Sequence, residues 1–181
     1  MFTFNRNTNF IAENASVPVR KAISLLERDR DKVFMNSSKP GGSVVLVQKS
    51  MVRSVLEPEE PEEQRLRENH LAGERYKISI SADKIVIFAQ GDRGFIYGLL
   101  YISETYLGVR PFWFFMNQKM EQKKKVSVPE GVIASKDSVV LCRSWYFADQ
   151  TLLSGWDYNQ NGFSGWEMCL EALLRCGGNT V

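Results

Sequence analysis

A glycine-bracketed turn is the first segment of this sequence whose residue types and spacing suit a chemical task. Gly91 and Gly94 flank Asp92 and Arg93 between a predicted strand and a predicted helix, where free backbone N–H groups attract anions such as phosphate. The spacing argues against a nucleotide site, because GDRGFIYG matches neither G-x-G-x-x-G nor G-x-x-x-x-G-K-[ST]. We therefore predict a structural turn in which Asp92 or Arg93 forms a local ion pair.

Histidine and cysteine chemistry is limited by the inventory of the chain. His70 is the only histidine, and Cys142, Cys169 and Cys176 form neither a C-x-x-C pair nor a cluster with it. This inventory excludes a histidine-based triad and a His-rich metal site within the chain, and we expect no cofactor and no metal. The odd number of cysteines, with Cys169 on an apolar helical stripe, predicts reduced and mostly buried thiols.

Composition and charge argue against several classes of partner. The 181 residues are 44% hydrophobic, enough for one full core and part of a second, and the net charge of +2 gives no general attraction to nucleic acid or membranes. The basic run Lys123–Lys125 predicts a solvated loop rather than a nucleic-acid patch. No stretch is apolar enough for a membrane span and MFTFNRNTNF lacks the pattern of a signal peptide, so we predict a cytoplasmic protein.

Hydrophobic periodicity predicts the elements on both sides of the turn. The alternation in Tyr76–Ser81 predicts an edge strand, hairpinned to a central strand at Ile85–Ala89 that is covered on both faces. After the turn, one apolar stripe predicts an amphipathic helix that ends at Gly108 in a left-handed cap. The run Phe112–Phe115 then predicts an aromatic strand. The members of the helical stripe are Phe95, Ile96, Leu99, Leu100, Ile102, Tyr106 and Leu107.

The amino-terminal part predicts a strand, a helix and a second strand. The first strand lies around Phe2–Phe10, the helix is opened by Ser16 and Pro18, and a buried strand covers Val44–Gln48. The charged, proline-containing segment Glu57–Gly73 predicts an exposed loop with a short helix, which we favour over a site for a cation or a basic partner. Together these elements predict an α+β fold, a mixed sheet with helices packed on it.

The last part of the chain predicts one βα unit. Val139–Phe147 predicts a strand, Asp149–Gly165 a polar and aromatic loop, and an apolar stripe over Trp166–Leu174 a helix that ends at Gly177. Asn179–Val181 predicts the beginning of another strand. A parallel unit needs a neighbour on each edge, so the pattern predicts the truncated start of a (β/α)8 barrel, whose exposed edges favour a homo-oligomer.

Two stretches resemble parts of a known enzyme family. GDRGFIYGLLYISETYLGVRPFWFF resembles the turn, helix and exit strand that close the small amino-terminal domain of glycoside hydrolase family 115, the xylan α-glucuronidases. RSWYFADQTLLSGW, followed by WEMCLEALLRCGGNTV, resembles the first strand, loop and helix of the catalytic barrel in that family. Similar domains precede the barrels of families 67, 20 and 84. The resemblance implies a hexosaminidase-like accessory domain over residues 1–134 and the first βα unit of a barrel over residues 135–181.

The resemblance also implies a function. It makes the chain a non-catalytic, amino-terminal fragment of a carbohydrate-active, α-glucuronidase-like hydrolase that acts on xylan-derived glycans. The first barrel loop of the family often begins Asn-Asp-Glu, and only Asp149 matches it here, so we expect no catalytic residue in the chain. Substrate binding is carried over to Asp149, through hydrogen bonds to sugar hydroxyls, and to Trp156 and Tyr158, through stacking on a sugar face. For Asp149, a brace that holds the loop is the favoured alternative.

Two further alternatives stay open. Phe112–Phe115 is either an exposed platform for sugar rings or, as we favour, packing at the seam between the small domain and the barrel. The chain as a whole is either the hydrolase fragment or a freestanding module that binds glycans or a protein partner through Trp113, Trp156 and neighbouring aromatic residues.

Overall fold

The computed structural model of the protein describes residues 1–48, 71–136, 138–148, 151 and 164–181. Most of the predicted loop Glu57–Gly73 and of the predicted loop Asp149–Gly165 lies outside these residues, and both loops stay predictions. None of the helices within the described ranges combines the length and the apolar character that crossing a membrane requires.

A mixed five-stranded sheet forms the centre of the fold, as the sequence predicts. Strands β2, β3 and β5 are parallel to one another, whereas β4 is antiparallel to both β5 and β7. The spatial order is β2-β3-β5-β4-β7, and β1 pairs separately with β6 in an antiparallel ribbon. The strand bounds are β1 Phe2–Phe4, β2 Asn9–Ala12, β3 Ser43–Gln48, β4 Tyr76–Ile80, β5 Lys84–Ala89, β6 Val126–Val128 and β7 Gly131–Ala134.

Three helices surround the sheet in the described part of the chain: α1 (Val17–Val33), α2 (Asp92–Ile102) and α3 (Gly165–Arg175). The predicted start of α1 is confirmed, since the Ser16 hydroxyl accepts a hydrogen bond from the first turn. Helix α2 continues into a π-helical turn, Ser103–Leu107, and ends at Gly108 with a φ of 76°, which is the predicted left-handed cap.

The core lies between one face of the sheet and helices α1 and α2. Ile78, Ile85 and Ile87 of the sheet and Leu99 of α2 are completely buried. Along β5 the buried residues alternate with the half-buried Val86 and Phe88. The prediction that this strand is covered on both faces is therefore confirmed for the face that carries the isoleucines, on which α1 and α2 pack, whereas the opposite face is only partly covered.

The predicted strand Phe2–Phe10 is divided in two. The Asn5 side chain accepts a hydrogen bond from the Asn7 N–H at 2.8 Å, and the Asn5 N–H donates to the Thr8 hydroxyl at 3.1 Å. Such a side-chain turn replaces ladder hydrogen bonds. It sends β1 and β2 into different sheets.

The predicted edge strand Tyr76–Ile80 is an interior strand. Its outer edge pairs with β7, where Ile78 lies opposite Ile133. Strand β7 is only four residues long and lies far along the chain. The local alternation around Tyr76 does not indicate that β7 pairs with this strand.

The predicted aromatic strand Phe112–Phe115 is instead a run of consecutive helical turns. The Met116 N–H donates to the Phe112 carbonyl at 2.9 Å, a contact one helical turn long. The Gln118 side chain closes the segment by donating to the Gly108 carbonyl at 2.7 Å. A continuous apolar run carries no period that separates strand from helix, and here the helical turns bury Trp113 and leave Phe112 half-exposed.

The predicted strand Val139–Phe147 is extended but makes one isolated parallel bridge, between Ser144 and Thr180. Its side chains still alternate, since Trp145 and Phe147 are half-buried whereas Ser144 and Tyr146 are exposed. A ladder needs a partner of comparable length, and of the six described residues after α3 only Thr180 forms a bridge with this segment.

The three thiols are free, but only one is buried. Cys169 lies on the buried face of α3, as predicted. Cys142 and Cys176 are exposed, which corrects the prediction of mostly buried thiols. Cys142 falls on the open side of the extended segment, and Cys176 follows the last residue of α3.

The glycine-bracketed turn serves packing. The Gly94 N–H donates to the Gly73 carbonyl at 3.0 Å, so this donor is not free for an anion. Arg93 lies 3.4 Å from Glu74, which confirms the predicted local ion pair. A Cβ atom at Gly94 would lie 2.4 Å from the Arg75 carbonyl oxygen and 2.9 Å from the Ala89 Cβ. The absence of a side chain lets α2 approach β4 and β5.

We expect Gly94→Ala to lower the free energy of unfolding by about 1–3 kcal/mol, because the new methyl group meets backbone that must shift. Urea unfolding measures the difference. The matched control is Gly98→Ala one turn later, where the nearest atoms are the Ile87 Cγ2 at 3.0 Å and the Tyr76 ring at 3.4 Å. These side chains can move, and alanine favours a helix by about 1 kcal/mol, so we expect a smaller change. Equal stability of Gly94→Ala and wild type would contradict the packing role.

Candidate functional site

A buried ionic network begins at Asp29, which is completely buried in α1. Its Oδ2 accepts a hydrogen bond from the Ser103 hydroxyl at 2.6 Å and another from the Arg175 guanidinium of α3. Arg175 also donates to the Ser103 hydroxyl at 3.1 Å. A buried charge is tolerated only when it is paired and hydrogen-bonded. The contact therefore ties α3 to α1 and to the π-helical turn.

Glu171 extends the network one turn earlier on α3. Its Oε1 accepts hydrogen bonds from Arg175 at 2.8 Å, Arg28 at 2.6 Å and the Trp113 indole at 2.9 Å. Its Oε2 accepts a second hydrogen bond from Arg28 at 2.7 Å, so the Arg28 pair is bidentate.

The pKa of Glu171 is far below its ordinary value. Burial alone would raise the pKa, but the hydrogen bond from Arg28, the charges of Arg175 and Arg28 and the hydrogen bond from Trp113 outweigh burial and lower it to about 2. Glu171 is thus ionised at neutral pH, where a general acid must be protonated.

Trp113 is enclosed by the network. The Lys32 ammonium lies 3.8 Å from its ring centroid and the Arg28 guanidinium 4.8 Å from it, both within cation–π distance. The neighbouring Phe112 ring stacks on Trp145 with centroids 5.7 Å apart. Trp113 therefore packs, as the favoured alternative for Phe112–Phe115 expects, and the other alternative, in which Trp113 holds a glycan, is wrong because its ring is buried in these contacts.

Aromatic contacts continue from Trp145 to the start of α3. The Phe147 ring lies 6.3 Å from Trp145 and 5.5 Å from Trp166, edge to face in both cases. These rings join the helical turns at Phe112, the extended segment and α3 into one packed surface.

A cavity of about 330 Å³ lies between the start of β4, the outer face of α2 and the end of α3. One wall carries Glu74, whose carboxylate accepts hydrogen bonds from Arg143 at 2.6 Å and Asn179 at 2.9 Å. Arg143 also donates to the Gly177 carbonyl at 2.6 Å. These groups hold the extended segment against the end of α3.

Tyrosines form another part of the lining. Tyr76, Tyr97 and Tyr101 line the cavity, and the Tyr97 hydroxyl donates to the Gly178 carbonyl at 3.0 Å. Burial, followed by the proximity of Tyr101 and Glu104, raises the pKa of Tyr76 to about 12. The Tyr76 hydroxyl is consequently a protonated hydrogen-bond donor at neutral pH.

The buried carboxylates of the described residues are held by arginines. Arg175 and Arg28 bind Asp29 and Glu171, and Arg143 binds Glu74. Over the ranges that the structure describes, no three or more His, Cys, Asp or Glu side chains are grouped as a metal would require. These groups form ion pairs that position the helices.

The predicted substrate-binding residues Asp149, Trp156 and Tyr158 lie outside the described residues and stay predictions. The network residues were missed by sequence reasoning, although a signal existed. Asp29 follows Ala22 and Leu26 on the buried stripe of α1, and Arg175 follows Glu171 by one turn on the buried face of α3. Charged residues at apolar positions of two helices indicate a buried ion pair.

Comparisons with known proteins show a likeness of fold. No protein-family model matches the sequence, and neither does any curated protein. The solved structure of BtGH115A, a family GH115 4-O-methyl-α-glucuronidase with specificity for decorated arabinogalactans, matches with a TM-score of 0.68 and 19% identity. The match covers 99% of this chain and 25% of that chain, so the protein spans a quarter of that enzyme's length.

Two other glycoside hydrolases match at lower scores. The Flavobacterium johnsoniae chitobiase FjGH20 has a TM-score of 0.43 and 16% identity over 78% of this chain and 19% of that one. A GH138 enzyme that targets pectin rhamnogalacturonan II has a TM-score of 0.36 and 13% identity over 54% of this chain and 10% of that one. The chain has a fold similar to part of a glycoside hydrolase.

Proposed function

We propose that the chain is the amino-terminal, non-catalytic part of a carbohydrate-active glycoside hydrolase. Residues 1–134 form its supporting domain and residues 135–181 open a (β/α)8 barrel. The observation that carries the proposal is the likeness of fold to a GH115 α-glucuronidase over 99% of this chain. Because the match covers 25% of that enzyme, the proposal assigns catalysis to residues that this chain does not contain.

The backbone around α3 supports the proposed start of a barrel. The Asn179 N–H donates to the Arg143 carbonyl at 2.9 Å, and the Trp145 N–H donates to the Thr180 carbonyl at 3.3 Å. Two extended segments that run parallel on either side of a helix are the repeating unit of a (β/α)8 barrel. In the proposal, further strands pair with their outer edges.

The ionic network supports a positioning role for the amino-terminal domain. Asp29 and Arg28 of α1 form ion pairs with Arg175 and Glu171 of α3. In the proposal, these ion pairs orient the first helix of the barrel on the supporting domain. The loop that carries Asp149, Trp156 and Tyr158 then contributes sugar contacts at the edge of the active site.

The proposed substrates are plant glycans that carry glucuronic acid, xylan-derived oligosaccharides among them. Glycosidases commonly need two carboxyl groups flanking the scissile bond, and barrel enzymes carry reacting groups on loops after several strands. We therefore expect the 181-residue chain alone to release no uronic acid from aldouronic oligosaccharides or aryl glucuronides. Measurable turnover above a heat-inactivated sample would refute the non-catalytic assignment, and an active GH115 enzyme is the positive control of the assay.

The gene provides the complementary test. We expect the reading frame to continue beyond Val181 with repeated βα units and carboxylates at strand ends. The longer polypeptide should hydrolyse the same oligosaccharides, and deletion of residues 1–134 from it should abolish folding or activity. A stop codon after Val181 would overturn the proposal.

A further inference from the structure

We propose that the cavity between β4, α2 and the end of α3 binds a polyhydroxylated molecule the size of one pyranose ring. The inference goes beyond the proposed function, because it concerns only residues of this chain and requires no barrel. It also rests only on described residues, whereas the predicted sugar contacts at Asp149, Trp156 and Tyr158 lie outside them.

The size of the cavity limits the ligand. Its volume is about 330 Å³, at the lower end of the roughly 300–1,000 Å³ that small-molecule sites occupy. A single sugar ring or a similarly sized polyol fits this volume, whereas an oligosaccharide does not. The lining residues come from β4, α2, the π-helical turn and α3 and from the segments that precede β4 and follow β7 and α3, so no single loop defines the walls.

Several polar groups of the lining are available to a ligand. In the part of the chain that the structure describes, the Tyr101 hydroxyl, the Glu104 carboxylate and the Lys136 ammonium make no hydrogen bond and no ion pair. Glu104 accepts hydrogen bonds, Lys136 donates them and Tyr101 does both. Sugar hydroxyls are donors and acceptors at once, so they can satisfy all three groups.

The walls also offer apolar contact. The Tyr76 and Tyr101 rings lie 6.1 Å apart between centroids and are tilted by 45°, with Leu100 and Leu174 beside them in the lining. The C–H face of a pyranose packs on such a ring. A wall of tyrosines next to hydrogen-bonding groups suits a molecule with one apolar face and a polar rim.

The charges of the lining favour a neutral ligand over an ion. Arg143 is paired with Glu74, and Arg175 is bound by Asp29 and Glu171. Of the charged groups without such a pair, Glu104 and Lys136 carry opposite signs. Together these two groups favour neither a phosphate nor an amine.

The test titrates the purified 181-residue chain with D-xylose, D-glucose and D-glucuronate and follows binding by saturation-transfer difference and amide chemical shifts. We expect at least one neutral sugar to bind and to shift amides around Tyr101. Glu104→Gln should weaken that binding about tenfold, the effect of losing a hydrogen bond to a charged group. Tyr101→Phe should weaken it less, because a neutral hydroxyl is lost.

The matched control is Glu121→Gln, which changes an exposed carboxylate outside the cavity lining and should leave affinity unchanged. Circular dichroism checks that each variant is folded. Three results would overturn the inference: no sugar binds, binding is insensitive to Glu104→Gln and Tyr101→Phe, or only glucuronate binds. The proposed hydrolase function is tested by the gene and by turnover, so either proposal can fail without the other.

Discussion

Replacing Arg175 by methionine should lower the free energy of unfolding by about 3–5 kcal/mol, the usual cost of breaking a buried ion pair. The Arg175 side chain is 2% exposed and that of Asp29 is completely buried. Without the guanidinium, Asp29 keeps Arg28 and Ser103 as partners, but two buried carboxylates then share one arginine. The cost comes from this uncompensated charge. Urea unfolding of the variant and of the wild type measures it.

An exposed ion pair between the same two helices provides the matched control. Lys21 of α1 lies 3.3 Å from Glu167 of α3, with side chains 62% and 48% exposed. Water and salt screen such a pair, so we expect Lys21→Met to cost less than about 1 kcal/mol. If Arg175→Met and Lys21→Met cost the same, the network does not hold α3 in place.

A double variant separates charge from packing. Asp29→Asn removes the buried negative charge, so Arg175→Met should cost less in that background than in the wild type. Strictly additive losses would contradict direct coupling between the two residues.

Acidification should destabilise the protein through Glu171. Its pKa is about 2 in the folded state against an ordinary 4.5. Below pH 4.5 the unfolded chain takes up a proton at this carboxyl that the folded protein still excludes. The stabilisation is therefore fully present above the unfolded pKa and is lost as the pH falls through the folded pKa. The difference of the two values corresponds to about 3 kcal/mol.

The measurement is the unfolding free energy in urea at several pH values between neutral and strongly acidic. Glu171→Gln should be less stable than the wild type at neutral pH, because Arg28 and Arg175 then lack the negative charge of the Glu171 carboxylate. The stability of this variant should nevertheless fall less on acidification. Glu167→Gln is the control, since the same change at an exposed position of α3 should leave the wild-type pH dependence nearly intact. A Glu171→Gln variant with the full wild-type dependence would show that other carboxyl groups cause the acid sensitivity.

Several features of the helices and strands could be predicted from the residues within or next to each element. Ser16 and Pro18 mark the start of α1 because a side-chain acceptor and a fixed φ suit the first helical turn. Gly108 marks the end of the π-helical turn because glycine adopts a positive φ without strain. The isoleucines of β5 point to the core because side chains alternate along a strand.

The predictions that were wrong concern segments whose interaction partners are distant in the sequence. The alternation in Tyr76–Ile80 predicts an edge strand, yet β7 pairs with it across more than fifty positions of the chain. Phe112–Phe115 has no period, so only its contacts with Glu171 and Trp145 decide that it is helical and packed. The cavity joins residues from several strands, helices and connecting segments, and no single stretch of sequence contains it.

The amino-acid sequence by itself determined most of the helices and strands of this protein and the chemistry that it lacks, because periodicity, caps and residue inventory are local properties. Tertiary structure decided which charges are buried together. Asp29 and Arg175 are 146 positions apart, and although each falls on the apolar stripe of its helix, neither helix alone indicates which partner neutralises it. Only when α1 and α3 pack does the loss of water make their pairing obligatory, which turns two ordinary positions into the contact that orients the end of the chain.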